Sequence, residues 1–267
     1  MPLAITAIVT TRDRPALLQD ALASIARQTL SPTEIRVVDT GMEPVRGLAS
    51  PVPLVLLQGR GLTAARARNL ACEEAQGEIL AFLDDDDRWL PGHLEGLAAA
   101  LASGARFAYR DCAVIRERVA ESGERQELDR RTIALDWDDA LMRSDDYIPP
   151  SAWGIERSLL AELDGFDPAF RFSDDWDLLL RARRMTIPVR APGLTVEVRM
   201  RESGNASADF GPERQSDLRR LEERHGLSPL VLKTFWEVAE TVATARGSAP
   251  GRVSPEAAPR PSRRPPR

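Results

Sequence analysis

Apolar and polar positions divide the chain into two stretches of different rhythm. Up to about residue 104, short apolar runs alternate with longer amphipathic segments. Residues 3–9, 34–38, 52–57 and 79–83 are apolar or β-branched runs too short for helices, so they are predicted strands. Residues 15–28 place Leu17, Leu18, Ala21, Leu22 and Ile25 on one face, which is helical spacing, and Pro15 suits a first helical turn. Residues 63–75 and 92–102 read as two further helices, with Gly77 the stop signal after the first. Strand and helix taking turns predict a mainly parallel, layered α/β unit over residues 1–104.

Beyond Gly104 the pattern is less regular. Residues 106–115 read as a strand. Residues 116–131 are highly charged and contain Ser122-Gly123, which suggests a hairpin or an exposed loop. A short helix is expected at 137–142. An extended segment is expected at 148–151, because a residue before proline disfavours the helical region. Helices are expected at 157–163, 174–185, 212–225 and 229–245, and strands at 187–191 and 194–200. The expected organisation is one domain over 1–245, in parts 1–104, 105–210 and 211–245. The 246–267 tail is rich in Pro, Arg, Ser and Ala, has little to bury, and is expected to be disordered.

Composition narrows the function classes. The 267 residues are 43% hydrophobic and 29% charged, as in soluble globular proteins. A net charge of −5 argues against nucleic acid as a partner. Cys72 and Cys112 form neither a disulfide framework nor a zinc pattern. The apolar stretch at 4–9 is too short for a signal peptide, and no later stretch could span a bilayer. A cytoplasmic location is therefore expected, with peripheral contact at the inner membrane face through the basic tail left open.

The chemistry concentrates where the predicted strand 79–83 ends in Asp84, Asp85, Asp86 and Asp87. Adjacent like charges there must be offset by solvent, a cation or raised pKa values. In open α/β sheets, ligands bind just outside the carboxyl ends of strands. Asp84 and Asp86 share one side if the strand geometry persists, and two hard oxygen donors suit Mg²⁺ or Mn²⁺. The run also reads as an acidic loop capping the next helix, with Asp87 at the cap and Pro91 in the first turn. A second cluster, Asp174-Asp175-Trp176-Asp177, opens a predicted helix. The macrodipole favours carboxylates there, which is reason enough for a cap. A carboxylate so placed could also take a proton from a hydroxyl within hydrogen-bond reach.

Three stretches together resemble glycosyltransferase family 2. They are ITAIVTTRDRP (5–15) with EIRVVDTG (34–41), ARNLACEEAQGEILAFLDDDDRWLPGHLE (67–95), and DGFDPAFRFSDDWDLLLRA (164–182). The second is similar to that family's arginine–asparagine helix followed by an Asp-X-Asp motif. The third is similar to its Gly-Phe-Asp turn and Glu-Asp motif. The resemblance implies a GT-A, Rossmann-like α/β fold. Its mainly parallel central sheet would be flanked by helices, with a smaller mixed region on the acceptor side and C-terminal helices.

The resemblance also implies an inverting, metal-dependent transfer of a sugar from a nucleoside-diphosphate sugar to an acceptor hydroxyl. The acceptor would be a glycan, a lipid-linked sugar or a small natural product. Thr11, Arg12, Asp39, Arg68, Asp84 and Asp85 would line the nucleotide sugar, with Asp39 at the nucleobase or ribose edge. Asp84 and Asp86 would hold Mn²⁺ or Mg²⁺. Asp175 would be the catalytic base; Asp174, in place of the usual glutamate, is the second catalytic candidate and is expected mainly to cap the helix. Many members carry a histidine before a Gly-Asn-X-Ser turn. Here the segment 199–207 has the turn and no histidine, leaving Arg201 for the diphosphate or Glu202 for the metal. His93 and His225 receive no role. Two alternatives stand beside this reading, a sugar nucleotidyltransferase and a non-catalytic glycan- or partner-binding module on the same scaffold. Against the first, the loop 10–15 lacks the Gly-rich stretch that holds a triphosphate.

Overall fold

A computed structural model describes residues 3–119, 125–201, 208 and 210–245. Its first half follows the apolar runs. β1 (Ile5–Thr11), β2 (Glu34–Asp39), β3 (Leu54–Gln58) and β4 (Ile79–Asp84) lie parallel in the order β3-β2-β1-β4. Helices α1 (Pro15–Ala26) and α2 (Ala64–Glu73) form the crossovers. β1, β2 and β4 are buried almost throughout because both of their faces are covered, and their polar members, such as Thr6, Glu34 and Arg36, are hydrogen-bonded. β3, on the edge, is only partly buried.

The sheet does not stop at Gly104. It continues through β5 (Arg88–Trp89), β6 (Phe107–Val119), β7 (Arg125–Ile133), β8 (Trp153–Glu156) and β9 (Val189–Met200). β8 runs antiparallel between β4 and β6, β9 runs parallel to β6, and β5 closes the row antiparallel to β9. The charged segment expected as a hairpin or loop is a hairpin, with Cys112 to Val119 paired against Ile133 to Arg125. The remaining elements are α3 (His93–Ala102), α4 (Asp139–Met142), a 3-10 turn (Pro150–Ala152), α5 (Arg157–Glu162), α6 (Asp174–Ala182), α7 (Pro212–His225) and α8 (Phe235–Ala245).

Several boundaries differ from the sequence reading, each for a local reason. β5 and β8 are two and four residues long, too short to show periodicity. The strands expected at 187–191 and 194–200 are one strand, β9. Its register against β6 slips on either side of Asp111, which pairs with Leu194, next to Gly193 at φ +141. The helix expected at 229–245 begins only at Phe235, and that expected at 174–185 ends at Ala182. Residues 120–124 with Ser122-Gly123, residues 202–207 with Glu202, and residues 246–267 lie outside the described residues.

One consequence of the strand order shapes the site. β4 and β5 are four steps apart in the sheet, roughly 19 Å if it were flat. Yet only the turn at Asp85–Asp87 joins them, a reach of at most about 14 Å. The sheet therefore curls, bringing the end of β9 to the aspartates that follow β4.

The second acidic cluster is delivered by a turn fastened to α2. Asp164 and Gly165 both take left-handed backbone, φ +60 and +69. Asn69 of α2 then pairs doubly with the next residue, Nδ2 donating to the Phe166 carbonyl at 2.7 Å and Oδ1 accepting from its N–H at 2.9 Å. Phe166 packs edge-on against Phe82 of β4, at 5.3 Å between ring centroids. A side chain at Gly165 would meet the Asn69 amide oxygen at 2.7 Å, so the turn needs glycine on two counts. Asn69→Ala should strand both backbone groups of Phe166. Stability should fall by about 2–3 kcal/mol. Tm, measured by calorimetry, should fall by about 4–10 °C. A drop below about 2 °C would mean that other contacts hold the turn.

Candidate active site

At the carboxyl ends of β1 and β4 the curled sheet and helices α6 to α8 enclose a cavity of about 450 Å³. Asp84 to Asp87 form its floor and alternate in character. Asp84 and Asp86 are half-buried, whereas Asp85 and Asp87 are buried. Asp85 accepts a hydrogen bond from the Thr11 hydroxyl at 2.7 Å and from Arg14 at 3.3 Å. Burial, and next the neighbouring Asp86, push its pKa up to about 6. Asp87 does not cap α3, which starts at His93 after Gly92. Its carboxylate instead accepts from the Ser151 hydroxyl at 2.6 Å and the Arg199 backbone N–H at 3.1 Å. Asp87 thereby ties the turn after β4 to the 3-10 turn and to β9.

Asp86 carries two guanidinium partners on Oδ2, Arg14 at 3.0 Å and Arg201 at 2.7 Å, while Arg199 Nε donates to its carbonyl at 2.6 Å. Burial, then the charge of Asp84, raises the pKa of Asp86. Asp84 accepts from Arg68 Nη2 at 3.0 Å. The other arm of Arg68, Nη1, donates to Asp174 Oδ2 at 2.7 Å. Burial opposes the charge on Arg68, but Asp174 and Asp84 hold it protonated more firmly than usual. Both Arg68 and Asp174 are buried, so this pair is a fixed part of the wall.

The sequence-predicted residues fall into two sets. Thr11, Arg12, Arg68, Asp84, Asp85, Asp86 and Asp175 line the one cavity. Arg12 stands at its exposed rim and donates to the Leu62 carbonyl at 3.3 Å. Asp39 lies behind the lining and is fully buried. Its two carboxylate oxygens accept from the N–H groups of Gly41 at 2.9 Å and Val45 at 2.7 Å. It therefore shapes the loop after β2, and its neighbour Thr40 reaches the cavity. Asp174 also lies behind the lining, and the expectation that it mainly caps α6 is corrected. Ser173 is the residue before the first helical turn, and the Asp174 carboxylate is spent on Arg68. Asp175 is half-buried at the cavity, with its Oδ1 accepting from the Trp176 N–H at 2.9 Å. Burial first, then Asp174, push its pKa up to about 7.

The sequence reading missed Arg14, Ser151 and Arg199. Arg14 sits in the polar loop after β1, where residue type alone cannot distinguish a surface arginine from a site arginine. Ser151 precedes β8, which pairs directly with β4, whereas Arg199 on β9 reaches the aspartates only through the curl of the sheet. His93 is stacked on Trp89 at 4.7 Å with Nδ1 3.0 Å from the Thr195 hydroxyl, and His225 Nε2 is 2.9 Å from Asp177. Both are structural.

Asp84 and Asp86 carry oxygen donors of the hard kind a divalent cation takes, and both are paired with guanidinium groups. Asp84 and Asp86 present carboxylate oxygens to the cavity. The six carboxylates Asp84–Asp87, Asp174 and Asp175 outnumber the four guanidinium groups of Arg14, Arg68, Arg199 and Arg201 packed among them. No cluster of three or more His, Cys, Asp or Glu side chains that could hold a metal exists among the described residues. Phosphate and water oxygens would therefore have to complete the coordination shell.

Comparison with known proteins agrees with this geometry. The sequence model of glycosyl transferase family 2 matches residues 6–163. The chain is 32% identical over 250 residues to the uncharacterized glycosyltransferase YwdF of Bacillus subtilis (strain 168), covering 92% of each chain. It is 28% identical over 185 residues to an uncharacterized glycosyltransferase of Haemophilus influenzae, covering 65% of this chain and 60% of that protein. Among solved structures it is similar to S. aureus TarS 1-349 in complex with UDP-GlcNAc. The TM-score is 0.60 at 16% identity, over 90% of this chain and 71% of that one. The same protein in complex with UDP gives a TM-score of 0.55 at 14% identity, over 90% of this chain and 70% of that one. At such identity the likeness is one of fold, a mixed α/β sheet flanked by helices in the GT-A manner. No helix among the described residues is long and apolar enough to cross a membrane. The nucleotidyltransferase and binding-module alternatives give way, because a strand-end aspartate site on this fold, a family match over more than half the chain and a full-length relative agree: the chain is a glycosyltransferase belonging to glycosyl transferase family 2.

Proposed function

We propose that the enzyme transfers a sugar from a nucleoside-diphosphate sugar to an acceptor hydroxyl with inversion at the anomeric carbon. The observation that carries this reading is the double pairing of Arg68. It links Asp84, at the end where a diphosphate would lie, to the first turn of α6, where Asp175 stands. The two halves of a displacement are thus held at a fixed separation on one cavity wall. UDP-GlcNAc is the first donor to test, since the structurally similar TarS 1-349 binds it.

In this reading Asp175 accepts the proton of the acceptor hydroxyl. The oxygen's electron pair forms the new bond to the anomeric carbon. The bond from that carbon to the diphosphate oxygen breaks, and its pair leaves on the nucleoside diphosphate. Attack and departure on opposite faces invert the centre, and no covalent sugar–enzyme intermediate forms. Arg14 and Arg201, both paired with Asp86, would meet phosphate oxygens, for which planar guanidinium groups are suited. A Mn²⁺ or Mg²⁺ ion held by Asp84 and Asp86 would supply further positive charge for the leaving diphosphate.

Three variants and a pH profile test the reading. Asp86→Ala should abolish turnover, and UDP binding measured by calorimetry should lose most of its dependence on Mn²⁺ or Mg²⁺. Wild-type metal dependence in this variant would remove Asp86 from the metal site.

Asp175→Asn keeps shape and loses the proton acceptor, so transfer should fall by ~10²–10⁴-fold with donor affinity changed only a few-fold. Asp174→Asn should behave differently, because it leaves the buried Arg68 with half its partners. It should lose stability by about 3 kcal/mol, the low end for breaking a buried pair. That should lower Tm by about 6–12 °C. Its donor affinity should fall along with Tm. If Asp174→Asn keeps its stability while losing only rate, the base has been assigned one residue too late.

The pH dependence follows from the sign of the shift at Asp175. A base must be ionised to act, and its pKa is raised to about 7. The transfer rate at saturating donor should therefore fall about tenfold per pH unit below pH ~7, instead of holding level down to the ordinary carboxylate range near ~4. A rate flat between pH 5 and pH 7 would exclude Asp175 as the base.

A further inference from the structure

The acceptor end of the cavity contains a carboxylate that the reaction described above does not use. Asp146 lies in the segment between α4 and the 3-10 turn and lines the same cavity as Asp175. The segment is anchored on both sides of it. Asp145 is buried and paired with Lys233, the only lysine of the chain. Tyr147 is buried, its hydroxyl accepting from the Asp138 N–H at 2.8 Å and donating to the Asp136 carbonyl at 3.2 Å. The indole of Trp176 donates to the Met142 carbonyl at 2.8 Å, which fixes this segment against the helix turn that carries Asp175. Asp146 itself is half-buried, and its Oδ1 accepts from the Ile148 N–H at 3.3 Å, at the long end for such a bond.

Resting on the proposed transfer reaction, we propose that Asp146 is a second acceptor-binding residue, whose carboxyl holds a hydroxyl adjacent to the one that Asp175 deprotonates. The acceptor is accordingly a polyhydroxylated molecule, and two neighbouring hydroxyls are read by two neighbouring carboxyls. Pro149, Phe172, Trp176, Leu218 and Phe235 line the same cavity. Such apolar surfaces suit the C–H faces of a sugar or polyol, and the two carboxyls suit its hydroxyl edge.

Electrostatics couples the two acids. The groups facing Asp146 are Asp175 and Asp174 from α6 and Arg214 from α7. Burial, then the charge of Asp175, push Asp146 well above the usual carboxylate range. Two such carboxyls do not both ionise readily, so one retains a proton near neutral pH. An asparagine at position 146 keeps a side chain that can hydrogen-bond a hydroxyl, whereas an alanine does not.

The test uses the full chain and the sugar nucleotide, from a panel of UDP-, GDP- and TDP-sugars, that the wild type consumes fastest. Glycerol, with adjacent hydroxyls, and 1-propanol, with one, serve as surrogate acceptors. The wild type should prefer glycerol. Asp146→Ala should lower that preference about tenfold, as expected for one lost hydrogen bond to a buried polar group. Asp146→Asn should keep it within about threefold. Donor Kd by calorimetry should stay within about twofold in both. Asp175→Asn should slow both alcohols alike. A glycerol preference unchanged in Asp146→Ala, or absent from the wild type, overturns the inference while leaving the transfer reading intact. Loss of donor binding in both Asp146 variants reduces Asp146 to a structural role and also overturns it. If Asp175→Asn stays fully active, or the wild type consumes no sugar nucleotide, the underlying reading of the site fails and this inference fails with it.

Discussion

The buried guanidinium of Arg68 is the constraint on which the site depends. It bonds Asp84 at the end of β4 and Asp174 at the start of α6, two residues ninety positions apart in the chain. Taking a charge out of water is costly, and a buried ion left without its partner costs several kcal/mol. The fold therefore cannot let β4 and α6 drift apart without stranding one of these charges. Arg68 also lies 5.5 Å from the ring of Phe166, the residue that Asn69 holds by its backbone. One turn of α2 thus fixes both the height and the orientation of the second acidic cluster.

Around that anchor the protein concentrates acid and balances it only in part. Asp85, Asp86 and Asp87 are raised mainly by burial and next by an acidic neighbour, despite the arginines among them. Asp175 is raised by the same two causes, to a value where it can be ionised and still accept a proton. Asp87 shows the opposite use of a carboxylate. It bonds Ser151 and the Arg199 backbone and so clamps three strand ends together.

Much of this was legible in the sequence because it depends on local pattern. The parallel strands announced themselves as apolar runs, since a strand covered on both faces tolerates little else. The aspartates stood out because four adjacent acids after such a run need something to offset their charge, and three stretches together pointed to the family. Asp39 and Asp174 were harder. Both are acids at element ends, and only the partners that meet them show one holding a loop and the other holding Arg68. Arg14 and Arg199 were invisible for the converse reason, because arginine is the common cation throughout this chain.

What the sequence determined by itself was the set of elements whose character repeats along the chain, together with the residue types needed for carboxylate chemistry at a strand end. What only the tertiary structure decided was which of those residues meet. β5 and β8 are too brief to carry a pattern, yet their pairing closes the sheet and turns β9 toward the aspartates. The physical reason is that periodicity reports how a segment meets a generic interior. A buried ion pair such as Arg68 with Asp174 depends on long-range contacts that no local pattern encodes.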